Sequence, residues 1–256
     1  MQESQLSGNV KTAYDEFYKK HDEDWRMLGA KYKAEHIIEV CRGHQFKNVL
    51  EVGAGDGSIL KYLSDANFVP EYHAVEISDS GVSHIANRHI KDLASVQIFD
   101  GYKLPFDDDA FDLILLSHVL EHVEHERLLL REIKRVAGNF VIEVPIDYKT
   151  NVDKRIKHFL AYGHINVYTP TSLRYLLQTE GFEITKDLTS IIAPEVTRFN
   201  TFINQKQPKS FIKNFKIAAE YAVKNTLINL SPKFNEKLAN AYTALCAKTD
   251  KQADIF

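Results

Sequence analysis

The sequence predicts an α/β protein built on a doubly wound, mostly parallel sheet, and three observations carry that reading. Short apolar runs alternate with segments of helical spacing from about residue 48 to residue 190. The runs Asn48–Val52, Tyr72–Ile77, Ser95–Phe99, Phe111–Leu116 and Phe140–Val144 have the character of parallel strands buried on both faces. A glycine-rich turn follows the first run directly, where an open α/β sheet presents its ligand-binding edge.

Each element has its own signal. A helical stretch from about Val10 to Cys41 repeats apolar residues such as Tyr14, Phe17, Ile37 and Val40 at helical spacing, and residues 1–45 read as an N-terminal helical cap. Helices over Ser58–Ala66, Gly81–His89 and Val119–Val136 fill the gaps between strands, and right-handed crossovers put them on both faces. A further helix begins with Thr169 as cap and Pro170 in its first turn, and stops at Gly181. Phe182–Leu188 is then a strand, and Ala241–Lys248 a last strand closing beside it. The core spans 46–190, a helical insertion 191–238, and the last strand and tail 239–256.

Composition narrows the function classes. The chain has 256 residues, is 44% hydrophobic and 26% charged, and carries a formal net charge of −3, which argues against wholesale nucleic-acid binding. Cys41 and Cys246 lie too far apart to suggest a metal or disulfide framework, which fits a reducing compartment. The polar start lacks a signal-peptide layout, and no apolar run reaches the roughly 18 residues of a membrane span. A cytoplasmic protein is expected.

The loop EVGAGDG, Glu51–Gly57, defines the ligand question. Glycines at 53, 55 and 57 let backbone approach a ligand closely, but the dinucleotide pattern needs glycine at position 58, which is Ser58. Glu51 would sit poorly beside a pyrophosphate and well beside a cationic amino group. Glu76 ends the second strand, where an acid accepts hydrogen bonds from ribose hydroxyls, and Asp100 could accept from an adenine amino group. Ser58 and Glu51 count against a nicotinamide or flavin cofactor, while Glu76 by itself does not separate an adenosyl cofactor from a dinucleotide.

Five stretches then stand in register: EVGAGDG, VEIS (Val75–Ser78), DGYKLPF (Asp100–Phe106), FDLILLSHVLEHV (Phe111–Val123) and FVIEVP (Phe140–Pro145). In them the chain resembles the class I S-adenosylmethionine-dependent methyltransferases of small-molecule type. The resemblance covers roughly Asn48 to Gly181 and implies a seven-stranded Rossmann-like sheet. It also implies the cofactor, S-adenosyl-L-methionine, and its contacts. Glu51 with Gly53, Ala54, Gly55 and Gly57 would meet the methionine part, and Glu76 with Ile77 the ribose. Asp100 and Gly101 would flank the adenine, with Ser117 or His118 near the sulfonium.

His118–His122, HVLEH, also matches a zinc-helix pattern with ligands four apart. That reading leaves the glycine loop and Glu76 unexplained and lacks a third ligand, so no metal is expected and His122 reads as a packing residue. Trp25 is a candidate to close over the cofactor, and Arg26 or Lys33 to pair with its carboxylate.

The acceptor side is expected in Ile146–Pro170, a long aromatic and polar segment. Gly163–Phe182 looks like the matching stretch of quinone-pathway oxygen methyltransferases, which makes His164 the candidate base or acceptor-orienting residue, with His158, Tyr162 and Tyr168 in reserve. The acceptor is expected to be a small molecule, methylated at a hydroxyl oxygen. In the insertion, a helix over about Pro208–Leu230 carries Phe211, Phe215, Ala219, Ala222 and Leu227 near one face and Lys209, Lys213, Lys216 and Lys224 on another. The simplest expectation packs the apolar face on the domain and leaves the lysines solvated. A lid, a homodimer contact, a surface for an acidic acceptor and a peripheral membrane contact are the other roles it could serve.

Overall fold

The computed structural model describes residues 23–148, 152–231 and 234–251. The chain forms one seven-stranded sheet in the order β3-β2-β1-β4-β5-β7-β6. The strands are β1 (Asn48–Val52), β2 (Glu71–Glu76), β3 (Leu93–Ile98), β4 (Phe111–Ser117), β5 (Ala137–Pro145), β6 (Phe182–Ser190) and β7 (Ala241–Lys248). β7 runs antiparallel to both its neighbours and every other pairing is parallel, so the doubly wound, mostly parallel expectation holds. The order reverses between β1 and β4, and this places the glycine loop after β1 at the switch point.

Helix α1 (Glu23–Val40) packs across one face beside α2 (Ser58–Asp65) and α3 (Asp79–Asn87). Its buried residues Ala30, Ala34, Ile37 and Val40 recur at three- and four-residue steps, which makes one stripe. The part of the expected N-terminal helix before Glu23 lies outside the described residues. Helices α4 (Glu126–Val136) and α6 (Pro170–Thr179) cover the opposite face through Leu129, Leu130, Ile133, Leu173 and Leu177. A short α5 (Ile156–Tyr162) lies between β5 and α6.

Thr169 caps α6 in a reciprocal capping box with Ser172, Pro170 opens the helix, and Gly181 follows it at φ 77°. Ser78 caps α3, which starts two residues earlier than the expected Gly81.

One expected helix is divided. Residues 119–136 form a 3₁₀ turn over Leu120–His122 and then α4, with a break between. The carbonyls that would continue a helix are already taken. Glu121 O accepts from the amides of Ile165 and Asn166, and the Asn166 side chain donates to Leu120 O and Val123 O. β5 begins directly after Val136, three residues before the expected Phe140, and ends one residue past Val144.

The insertion holds α7 (Pro194–Phe199), a π-turn over Asn200–Asn204, α8 (Phe211–Leu230) and α9 (Asn235–Leu238). The expected packing of α8 is overturned. Phe211 is 85% exposed and Phe215 66% exposed, while Ile228 on another face is buried. The helix packs through the side carrying Ile217, Tyr221 and Ile228, with Lys224 at its margin.

Candidate active site

The glycine loop is a left-handed backbone turn. Gly53, Gly55 and Gly57 have φ of 70°, 61° and 76°. A Cβ at Gly53 would lie 2.6 Å from Val119 Cγ2, so both conformation and space require glycine there. The amides of Gly53 and Ala54 donate to Val75 O, which pins the loop to β2. Glu76, buried at the end of β2, accepts from the Gly55 amide at 2.9 Å and from the amide and hydroxyl of Ser78. Burial pushes its carboxyl upward against those hydrogen bonds. Half-buried Ile77 follows it.

Asp56 anchors the loop from outside. Its Oδ2 accepts from Arg26 Nε at 2.6 Å and from Arg88 at 2.9 Å, and Oδ1 accepts from Ser58. Burial opposes the ionised carboxylate, but Ser58, Arg26 and Arg88 outweigh it and hold the carboxyl below its ordinary value. Arg26 is therefore engaged with the loop itself. Trp25 packs against Phe199 of α7, with ring centroids 5.6 Å apart, and Tyr32 donates to Glu195 at 2.8 Å. These contacts join α1 to the insertion.

Glu51 Oε2, Ser117 Oγ and both carboxylate oxygens of Glu121 are buried without a hydrogen-bond partner. Glu51 is 2% exposed and its Oε2 has no hydrogen-bond partner. Burial raises its carboxyl well above the usual range, with the Lys33 charge opposing. Ser117 Oγ, at the end of β4, is buried and also lacks a partner. A ligand ammonium would supply the donor and the positive charge that Glu51 lacks.

Beside Ser117 lies a chain of histidines and carboxylates. His118 has φ 56°, an uncommon conformation for a non-glycine residue. Its Nδ1 is 3.3 Å from Glu121 Oε1 and its Nε2 is 3.2 Å from Glu143 Oε1. Glu143 Oε2 also bonds His36 Nδ1 of α1 at 2.8 Å and accepts from Thr243 Oγ at 2.6 Å. Burial and the Lys33 charge lower the His118 pKa, but the two carboxylates outweigh them and raise it. Burial likewise opposes ionisation of Glu143, and the hydrogen bonds from His118 and His36 override it and hold the carboxyl far down. Lys33 is half-buried and feels the charges of Glu143, Glu121, Glu51 and Asp56, but desolvation lowers its pKa.

His164 stands across from this chain. Its Nδ1 donates to Asp147 Oδ2 at 2.6 Å, and Asp147 Oδ1 is 3.3 Å from Arg155. The His122 ring lies edge-on to the His164 ring at 4.9 Å, and its Nδ1 donates to Gly163 O. His122 thus packs and bonds the loop, and burial lowers its pKa. Glu121, His122 and His164 each place one donor atom within 4.8 Å of the other two, so these residues could hold a metal ion among the described residues. The sequence pattern paired His118 with His122; the cluster in the structure has Glu121 in place of His118 and adds His164, 42 positions beyond His122. His118 Nδ1 faces the Glu121 carboxylate, although neither Glu121 oxygen has a hydrogen-bond partner.

Asp100 is exposed and its Oδ1 caps the amides of Tyr102 and Lys103, with Gly101 at φ 94° between them. The structure gives Asp100 a turn-forming role. Tyr168 is buried, Tyr162 is 54% exposed, and the His158 side chain lies outside the described residues.

Sequence reasoning missed Asp147, Glu143 and His36. Glu143 had a usable signal, a lone acid inside the apolar run FVIEV, which must find partners when buried. Asp147 and His36 had none, since only the fold brings them to their histidine and glutamate.

The fold and this site define a class of protein, an α/β transferase with a glycine loop at its switch point. Residues 26–187 match a family model described as a methyltransferase domain, and the chain belongs to that family of S-adenosylmethionine-dependent methyltransferases. It is 28% identical over 153 residues to YrhH of Bacillus subtilis, whose methyltransferase name is itself provisional. The match spans 56% of this chain and 82% of YrhH. It is 31% identical over 90 residues to the phthiotriol/phenolphthiotriol dimycocerosates methyltransferase of Mycobacterium tuberculosis, across 35% of this chain and 33% of that enzyme. Its fold is similar to that of a SAM-dependent methyltransferase from Archaeoglobus fulgidus, with a TM-score of 0.60 at 20% identity, covering 91% and 100% of the two chains.

Proposed function

We propose that this enzyme methylates a hydroxyl oxygen of a small-molecule acceptor such as a sugar, a phenolic or quinone precursor, or a specialised metabolite, as part of cytoplasmic biosynthesis. The observation that carries the reading is the Asp147–His164 pair, just beyond the end of β5 at the sheet edge where β1 also ends. Bound S-adenosylmethionine supplies an electrophilic methyl group on a sulfonium.

The residues present fit that cofactor, on the unpartnered Glu51 oxygen and the glycine backbone cradle. Glu51 would hold its ammonium, with Gly53, Ala54, Gly55 and Gly57 along the methionine part. Glu76 and Ile77 would meet the ribose, Asp100 and Gly101 the adenine, and Ser117 and His118 the reacting end. Asp147 fixes the His164 proton on Nδ1, which leaves Nε2 to accept the acceptor hydroxyl proton and lets Asp147 stabilise the resulting imidazolium. Alignment of donor and acceptor would supply much of the rate. No metal is assigned a role.

The test is transfer of a labelled methyl group from S-adenosylmethionine into a cell extract, followed by separation of small molecules from macromolecules. Label in the small-molecule fraction supports the reading. Label on a protein or peptide fraction, or no transfer at all, overturns it in favour of a side-chain methyltransferase or a non-catalytic partner module.

A further inference from the structure

Helix α8 lies in the insertion beyond the residues matched by the methyltransferase-domain family. Successive helical residues turn by about 100°, so Phe211, Ile212, Phe215, Ala222, Val223 and Leu230 fall within about 120° of arc. All six are exposed, with Ile212 at 78%, Val223 at 59% and Leu230 at 73%. Lys216, Lys213 and Lys224 follow along one border of this arc, between it and the packed side. Lys206 and Lys209 precede the helix and are exposed. From Gln205 to Lys237 the chain has seven lysines against Glu220 and Glu236, in a protein whose net charge is −3.

An outward apolar face bordered by lysines is the layout of a helix that lies in a membrane surface, the apolar side in the acyl boundary and the amines reaching anionic headgroups. A second copy of this chain would have to bring the same lysines together, whereas an anionic lipid surface neutralises them. Among the described residues, no helix is long and apolar enough to cross a membrane, so contact would be peripheral. The topology roots the insertion at the sheet edge where β5 ends. Pro145 of β5 pairs with Ala241 of β7, and Ala241 with Ser190 of β6, so the insertion and the acceptor segment leave the sheet at one end. That acceptor segment also exposes Ile156, Leu160 and Ile165.

We infer that α8 is a docking helix for an anionic phospholipid surface, from which the enzyme takes an amphiphilic acceptor. The docking surface stands independently of the methylated atom; the source of the acceptor rests on the small-molecule reading above.

The test is co-sedimentation of the full chain with phosphatidylcholine vesicles, with and without phosphatidylglycerol, at low and high salt. The expected result is binding to phosphatidylglycerol vesicles at low salt, weakened at high salt by screening. The double substitution Phe211→Ser with Phe215→Ser should reduce it by at least about tenfold. Lys213→Glu with Lys216→Glu should abolish the preference for phosphatidylglycerol. Tyr175→Ser, an exposed apolar residue on α6, should bind vesicles like the unmodified chain. Retained helical circular dichroism and S-adenosylhomocysteine binding keep folding and the cofactor reading separate from the outcome. Absence of vesicle binding at low salt overturns the inference, as does binding that the α8 variants leave unchanged. A concentration-dependent dimer in sedimentation velocity, lost in the Phe211/Phe215 variant, would make a second copy the occupant and also overturn it.

Discussion

Asp147 Oδ2 and His164 Nδ1 are 2.6 Å apart, and this bond ties the end of β5 to the loop before α6. The carboxylate can only accept there, so the histidine proton is fixed on Nδ1 and the second nitrogen is basic. Asp147→Asn should then mimic His164→Ala, with turnover reduced by roughly 10²- to 10⁴-fold and S-adenosylhomocysteine affinity nearly unchanged. Single-turnover kinetics beside calorimetry checks this, and an Asp147→Asn variant with full turnover would remove the pair from the chemistry.

Glu51 should separate stability from function. Its carboxyl is raised in the folded chain, chiefly by burial, so the ionised form is destabilising once pH exceeds the unfolded value. Glu51→Gln should raise the melting temperature of the ligand-free protein at neutral pH, and the gain should fade in acid. The same substitution should cost about 1.5–3 kcal/mol of cofactor binding through the lost charged hydrogen bond. Thermal melts with and without S-adenosylmethionine measure both effects on one sample.

The His118–Glu143 contact predicts a bounded pH window. His118 is raised, so its stabilising contribution is complete below the ordinary histidine value of about 6.5 and fades as pH rises through the folded value. Glu143 is held low, so its contribution is present above the ordinary carboxylate value of about 4.3 and is lost in acid. Glu143→Gln should therefore cost most between these values, by about 3–5 kcal/mol for a broken buried pair, and less on either side. Denaturant titrations across that range give the profile.

Gly53→Ala places a Cβ against Val119 at a φ of 70°, a strained conformation for an L side chain. Destabilisation of about 1–2 kcal/mol and a larger loss of cofactor affinity are expected. A chemical melt and a calorimetric titration distinguish the two losses.

Chelation supplies a fifth check. The proposed chemistry uses no metal, so prolonged treatment with a strong chelator should leave turnover unchanged. Activity lost to chelation and restored by zinc would instead make Glu121, His122 and His164 a metal centre.

The parallel strands were legible in the sequence because β1 and β4 are buried on both faces and read as apolar runs. The glycine loop was legible for a different reason: its left-handed backbone at Gly53, Gly55 and Gly57 favours glycine at fixed places. Boundaries were harder to read where long-range bonds decided them, as when Ile165 and Asn166 break the helix expected after Val119. Asp147, His36 and Glu143 meet their partners across 17 and 107 residues, and no local pattern encodes such meetings. The direction of α8 was misread because amphipathic spacing reports that a helix has two sides and does not say which one meets protein.

The most direct measurement of the account is calorimetric titration with S-adenosylhomocysteine, paired with labelled-methyl turnover, on three proteins: the unmodified chain, Glu51→Gln and His164→Ala. The account divides the site into a cofactor half and an acceptor half. It predicts that Glu51→Gln loses affinity, while His164→Ala keeps its affinity and loses turnover. Undiminished binding by Glu51→Gln, or binding and turnover lost together in His164→Ala, would contradict it.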